Sequence, residues 1–113
     1  HNCVVYTGTH DNQTLAAWYD ELTEEDRALA AEYLCLKDEE RSETVWAFIR
    51  LTLASVADTA VIPMQDYLCL GAEARMNHPA TLGENWTWRM VPGEFTEELA
   101  EKIRRVNELY GRK

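Results

Sequence analysis

The chain lacks the features of membrane, secreted and disordered proteins. No apolar run in its 113 residues approaches the roughly 20 that a membrane-spanning helix needs, and no charged region followed by an apolar one indicates a signal peptide. Glycine and proline are few, with 5 and 3 residues, and no segment has low complexity. The composition, 46% hydrophobic and 27% charged, is typical of one globular domain. Because the chain begins at His1 and not at Met, directly before an apolar stretch, we also expect it to be a piece of a longer one.

Basic residues are scarce as well. The 11 Lys and Arg residues face 20 Asp and Glu residues, which gives a formal net charge of −9. So acidic a chain repels the phosphates of nucleic acids and of anionic membrane surfaces, whereas a neutral substrate such as a sugar meets no such repulsion. We therefore expect no nucleic-acid partner and no membrane partner.

The chain has three cysteines: Cys3, Cys35 and Cys69. Their odd number and apolar surroundings are typical of reduced thiols, so we expect a cytoplasmic location. Cys3 and His10 give no convincing nucleophile pair, because no acidic residue to orient the imidazole and no oxyanion feature accompany them. The spacing of His10, Asp11 and His78 matches no metal-ligand pattern, and there is no glycine-rich phosphate loop, so we expect no metal and no cofactor.

The apolar residues repeat with the periods of strands and helices. Residues 4–7 and 59–64 are apolar runs too short for a helix, and we predict that both are buried strands. Spaced apolar residues and good N-caps predict four helices: residues 14–20, 23–36, 42–57 and 96–111. The clearest apolar faces consist of Leu29, Tyr33 and Leu36 in the second helix and of Val45, Ile49, Leu53 and Val56 in the third. This order of elements is typical of a parallel sheet, whose missing strands must come from a longer chain or another copy.

Polar side chains follow both predicted strands. His10, Asp11 and Asn12 come after the first, and Gln65 and Asp66 come after the second. The carboxyl ends of parallel strands are where α/β enzymes carry their sites, so these residues are candidates for a functional site. The alternative is a capped turn at Asp-Asn, with Asp66 as an ordinary solvated loop carboxylate.

A long irregular segment, residues 71–93, precedes the last helix. Loops of this length in a compact domain are usually functional. Asn77 and Trp86 stand there among other amides, guanidinium groups and rings, a mixture suited to a sugar, whose apolar face stacks on an aromatic ring while its hydroxyls form hydrogen bonds. Trp86 could equally anchor the loop to the body of the domain.

Three strings in this order resemble the 4-α-glucanotransferases, also called amylomaltases or disproportionating enzymes, of glycoside hydrolase family 77. The strings are VYTGTHDN at residues 5–12, SVAD through IPMQD at residues 55–66, and residues 71–89 with the uncommon EARMN and NWTWR. The resemblance extends over residues 4–110. Gln13 and Ala80 depart from the family, which commonly has Asp and Gly at these positions.

The resemblance implies a (β/α)8 barrel, of which residues 1–113 would be the C-terminal quarter. Residues 4–7 would be strand seven, 60–64 strand eight and about 21–57 a helical insertion, and the last helix would close the ring. We expect the isolated fragment to be predominantly α-helical, with two short strand segments. Because apolar faces and strand edges would be exposed, we expect it to self-associate or to leave the residues before about Gln13 displaced from the barrel position.

The resemblance also implies an activity. These enzymes transfer α-1,4-glucan chains between acceptors with retention, so the implied partner is a maltodextrin or starch-derived glucan. Retention needs a nucleophile and an acid/base carboxylate about 5–5.5 Å apart, and in this family both lie on earlier strands, outside this chain. Asp11 resembles the third carboxylate, a transition-state stabiliser, with His10 beside it. We expect sugar contacts from five further residues: Asn12, Gln65, Asp66, Asn77 and Trp86.

Two hypotheses follow. In the first, the chain is part of a cytoplasmic 4-α-glucanotransferase and is inactive alone, because it lacks two of three carboxylates that act as a unit. In the second, it is a non-catalytic helical interaction or sugar-binding module.

Overall fold

The computed structural model describes residues 2–36 and 41–112, which form mainly helices with one pair of strands. In chain order the elements are β1 Val4–Tyr6, α1 Leu15–Asp20, α2 Glu24–Tyr33, α3 Arg41–Leu53, β2 Thr59–Val61, α4 Met64–Tyr67, a 3₁₀ turn Ala72–Ala74 and α5 Glu97–Leu109. None of the helices in these ranges is both long and apolar enough to cross a membrane.

The two strands lie side by side and run parallel, as predicted. The register pairs Val4 with Thr59, Val5 with Ala60 and Tyr6 with Val61. The segment before Gln13 is therefore held in a sheet, and the alternative in which it is displaced is wrong. The predicted burial of the strands is also wrong, because Val4 is 50% and Val61 is 41% exposed. Each strand has a partner on one side only within the described residues.

The second strand is shorter than predicted. It ends at Val61, and α4 begins at Met64. Proline has no N–H to donate to a neighbouring strand, so Pro63 ends the ladder and starts the turn into α4. This early turn carries the residues that follow β2 towards the loop after β1.

The core lies where α1, α3 and α5 meet. Its buried residues are Leu15, Ala16, Val45, Trp46, Ile49, Leu53 and Val106. The predicted stripe Val45, Ile49 and Leu53 is confirmed, since residues four apart lie on one helix face. Burial of each such side chain is worth about 1.5–3 kcal/mol. The fourth member, Val56, lies beyond the end of α3 and is 73% exposed, so its inclusion was wrong.

The predicted apolar face of the second helix is not buried. Leu29 is 65% and Tyr33 is 73% exposed, and no residue of α2 is buried. The start of α2 is as predicted, because the Thr23 hydroxyl accepts the Asp26 N–H at 3.2 Å. Residues 37–40 of the predicted insertion 21–57 lie outside the described residues.

The last helix lies within the range predicted for it, and the residue Arg112 beyond its end is hydrogen-bonded to another part of the domain. The Thr96 hydroxyl accepts the Leu99 N–H at 3.1 Å and so caps α5. Just beyond α5, the guanidinium of Arg112 donates to backbone carbonyls of the α3–β2 connection. These carbonyls belong to Leu53 at 2.8 Å, Ser55 at 3.1 Å, Ala57 at 2.9 Å and Asp58 at 3.4 Å. Arg112 therefore fastens the amino end of β2.

Candidate functional site

The carboxyl ends of β1 and β2 open into a cavity of about 430 Å³. Three segments line it: the loop after β1, the turn and helix after β2, and part of the long irregular segment. The predicted site residues among its lining are His10, Asn12, Gln65, Asp66 and Trp86. Asp11 and Asn77 join them through hydrogen bonds. The structure thus brings together all seven residues that the sequence singled out.

The Asp11 carboxylate is oriented but accessible. The Asn77 side-chain amide donates to its Oδ1 at 2.6 Å, and the His10 Nε2 lies 3.4 Å from its Oδ2. The side chains of His10 and Asp11 are 54% and 47% exposed. A half-exposed carboxylate with one oxygen held by an amide can still accept hydrogen bonds from hydroxyls of a ligand.

Residues 75–77 hold the backbone that carries this pair. The Asn77 N–H donates to the carbonyl of His10 at 3.1 Å, and the Arg75 Nη2 donates to the carbonyl of Asp11 at 2.7 Å. The Arg75 Nε donates to the carbonyl of Asn77 at 3.0 Å. Two segments far apart in the sequence are therefore fixed to one another at the backbone. Sequence reasoning counted the guanidinium groups of residues 71–93 among groups suited to a sugar, but no local pattern reveals the backbone partners of Arg75.

Asn12 shapes the loop in which Asp11 lies. Its Oδ1 accepts the Thr9 N–H at 2.7 Å and the Thr9 hydroxyl at 2.8 Å, and its own N–H donates to the Thr9 carbonyl at 3.0 Å. The turn is therefore confirmed for Asn12, whereas the following helix, α1, is capped by Thr14. A sugar contact by its amide stays a prediction.

Trp86 anchors the loop and also faces the site. Its backbone N–H donates to the Met76 carbonyl at 2.7 Å, while the centroid of its ring lies 4.8 Å from that of the His10 ring. Its φ of 62° is left-handed, which is rare for a bulky side chain and persists only where neighbours impose it. The ring is still half-exposed. The backbone hydrogen bond holds the loop, and a sugar contact by the ring stays a prediction. Ala80 also has a positive φ, 61°, a conformation that glycine adopts without strain.

Asp66 is not the solvated loop carboxylate that the sequence indicated. It lies in α4 and is 3% exposed. The Thr7 hydroxyl donates to its Oδ2 at 2.6 Å, and the Leu15 N–H donates to its Oδ1 at 2.8 Å. Burial raises the pKa of Asp66, and these two hydrogen bonds partly oppose the rise. Asp66 thus connects the end of β1, the start of α1 and α4.

Gln65 and the titratable residues add little further chemistry. The Gln65 amide donates to the Ala74 carbonyl at 3.3 Å, which ties α4 to the 3₁₀ turn. In residues 2–36 and 41–112, no three His, Cys, Asp or Glu side chains lie together as metal ligands would. The arrangement is a cavity with the accessible carboxylate of Asp11 beside it and the half-exposed rings of His10 and Trp86 in its lining.

Comparisons with known proteins agree with this geometry. The family model described as 4-alpha-glucanotransferase matches residues 1–94. The chain is 48% identical over 112 residues to the 4-alpha-glucanotransferase of Clostridium butyricum, covering 98% of this chain and 23% of that protein. It is 45% identical over 108 residues to that of Thermus thermophilus, covering 93% and 22%. A third relative, from Solanum tuberosum and named chloroplastic/amyloplastic, is 44% identical over 114 residues, covering 98% and 19%.

A solved structure shows the same fold for this segment. It is the amylomaltase from Streptococcus agalactiae in complex with acarbose, with a TM-score of 0.87 and 37% identity. The match covers 96% of this chain and 22% of that one. The chain thus spans less than a quarter of the length of the relatives named here. The family match and these identities establish that the chain belongs to the 4-alpha-glucanotransferase family.

Proposed function

We propose that this chain supplies part of the active site of a retaining 4-α-glucanotransferase, which transfers α-1,4-glucan segments to glucose or a maltodextrin. The observation that carries the proposal is the Asp11 carboxylate. It is half-exposed at the carboxyl end of the strand pair, held by Asn77 and adjacent to His10. The amylomaltase with the similar fold was solved with acarbose, which is consistent with a glucan ligand.

In this proposal Asp11 and His10 bind hydroxyls of the sugar at the bond that is cleaved. Hydrogen bonds to these hydroxyls strengthen as the transition state acquires oxocarbenium character, and a fixed carboxylate stabilises that positive charge. The nucleophile and the acid/base carboxylate belong to other parts of the protein. Asp11 therefore lowers the barrier without forming a covalent bond.

The neighbouring residues divide between contact and support. Trp86 offers a half-exposed ring on which a sugar face can stack, while Asn12, Gln65 and Asn77 offer amides. For Asp66 we propose support in place of contact, because both its oxygens accept hydrogen bonds from the protein. We further propose that β1 and β2 are strands seven and eight of a (β/α)8 barrel, which would cover their exposed faces.

The non-catalytic module is not favoured, because no observation in the structure supports it over an enzyme segment. The predicted cytoplasmic location and self-association stay predictions. One relative is named chloroplastic/amyloplastic, so family membership alone does not fix the compartment.

The test uses two proteins. One is this chain alone, and the other, called the chimera below, is the Clostridium butyricum relative with its aligned segment replaced by this chain. With maltotriose, we expect the chimera to form glucose and longer maltodextrins and the chain alone to form neither. A chimera that unfolds cooperatively but is inactive would contradict the proposal. Activity of the chain alone would contradict the division of the carboxylates.

A further inference from the structure

We infer that Arg75 is a positioning residue for the transition-state carboxylate, which rests on the role proposed for Asp11. Arg75 acts on the carboxylate through other residues and not by contact with the substrate. Its guanidinium fixes where the Asp11 carboxylate points, through the backbone of Asp11 and through Asn77.

The Arg75 guanidinium binds the backbone of both residues that share the hydrogen bond between the Asn77 amide and the Asp11 carboxylate. Its Nη2 donates to the Asp11 carbonyl at 2.7 Å, and its Nε donates to the Asn77 carbonyl at 3.0 Å. Asn77 in turn donates from its side chain to the Asp11 Oδ1 at 2.6 Å. Arg75 therefore sets the distance between Asn77, which donates to the carboxylate, and Asp11, to which the carboxylate belongs.

The loop needs such a support. Among the described residues, the side chain of Asn12 bonds within the loop, to Thr9, and so shapes the loop without fixing it to another segment. Asp11 is half-exposed, so burial alone does not fix its carboxylate. The ties between this loop and residues 75–77 are the Arg75 bond, the Asn77 N–H to the His10 carbonyl and the Asn77 amide bond. Two of these three hydrogen bonds are donated by Asn77, and the carbonyl of Asn77 in turn accepts a hydrogen bond from Arg75.

The planar fork of arginine is what this geometry requires. The two carbonyls lie on different segments, and Nε and Nη2 point at them from one rigid plane. Lysine has a single ammonium on a flexible stem, so it can keep the charge but not this fixed geometry. We therefore expect Arg75→Lys to recover part of the loss caused by Arg75→Gln.

The chimera offers a matched control within the same chain. Arg112 also donates to backbone carbonyls of distant segments, but at the amino end of β2. Arg112→Gln removes the same charge and four guanidinium–carbonyl hydrogen bonds, against two for Arg75→Gln, away from the cavity. A purely structural contribution of Arg75 should therefore resemble the effect of Arg112→Gln.

The measurement is kcat and KM for maltotriose, together with thermal unfolding of each variant. For Arg75→Gln we expect kcat to fall about 30-fold with KM within about 3-fold, since the oriented carboxylate acts mainly in the transition state. Arg75→Lys should fall between it and the parent, and Arg112→Gln should lower the unfolding temperature with kcat nearly unchanged. If Arg75→Gln does not fold, Arg75→Lys carries the same comparison with Arg112→Lys.

The outcomes separate this inference from the proposed function. If the Arg75 variants keep the parent kcat while Asp11→Asn loses activity, the positioning role is wrong and the proposed function stands. If Arg75→Gln and Arg112→Gln lose activity equally and in step with unfolding, the role of Arg75 is structural and the inference is overturned. If the folded chimera is inactive before any variant is made, the proposed function itself fails.

Discussion

The two ends of the strand pair use the same hydrogen-bond chemistry for different purposes. At the amino end, Arg112 binds carbonyls of the α3–β2 connection, and the held backbone carries no side chain that faces the cavity of the site. At the carboxyl end, Arg75 binds carbonyls of residues whose side chains are a half-exposed carboxylate and the amide that orients it. The two ties thus differ in what the held backbone carries, and this difference is the basis of the role proposed for Arg75.

The largest expected effect is the loss of the carboxylate at the carboxyl end. In the chimera, Asp11→Asn should lower kcat on maltotriose by at least about 100-fold, because a neutral amide cannot stabilise the positive charge of the transition state. Asp58→Asn, an exposed acid at the amino end of β2, is the matched control and should leave kcat unchanged. Equal effects of the two substitutions would abolish the distinction between the ends.

The second effect concerns stability at the amino end. Arg112→Gln removes several charge-assisted hydrogen bonds, and since water can replace some of them we expect a loss of about 1–3 kcal/mol in the free energy of unfolding. Urea unfolding of the chain measures it. Arg104→Gln is the control, because Arg104 forms exposed ion pairs with Glu101 and Glu108 on α5, which water and salt screen, so we expect a smaller loss. A larger loss from Arg104→Gln would show that Arg112 does not fasten this end.

These ties mark the limit of what the sequence reveals. The caps at Thr23 and Thr96 and the stripe on α3 are local signals, so they were predictable. The order of strands and helices also placed the polar loops at one end of the sheet. The Asp11 partner of Arg75 and the partners of Arg112 lie more than fifty residues away, where no short-range pattern reports on them.

The errors have a related cause. Periodicity shows which face of an element is apolar but not whether anything covers it. It therefore did not reveal that the apolar face of α2 is exposed, and the exposed strands were wrongly predicted to be buried. Likewise, the position of Asp66 after a strand indicated a loop carboxylate, whereas the early start of α4 turns it inward. In each case the answer depends on a tertiary contact, or on the lack of one among the described residues.

The third prediction tests the exposed ring at the carboxyl end. Trp86→Ala in the chimera should weaken the binding of acarbose about 3- to 10-fold, the range expected when one stacking ring is lost. Trp86→Phe keeps a ring and should recover most of the affinity, which isothermal titration calorimetry can measure. If Phe binds no better than Ala, the Trp86 ring is an anchor for the loop and not a stacking surface.

The smallest effect concerns Asp66, which lies at the carboxyl end of the strand pair but is proposed to support the fold and not to contact the sugar. Burial raises its pKa in the folded state above the ordinary value of 3.8, so the folded state binds this proton more tightly than the unfolded state. The resulting stabilisation is fully present below the unfolded pKa and is lost as the pH rises through the folded pKa. Asp66→Asn cannot titrate and lacks this dependence. The difference in free energy of unfolding, parent minus variant, should therefore decrease as the pH rises from 3.5 to higher values.

Measuring this difference by urea unfolding across that range cancels the contributions of the other acids, which both proteins share. A difference that grows with pH would mean that the hydrogen bonds from Thr7 and Leu15 outweigh burial and lower the pKa instead. That result would make Asp66 a stabilised anion at the carboxyl end.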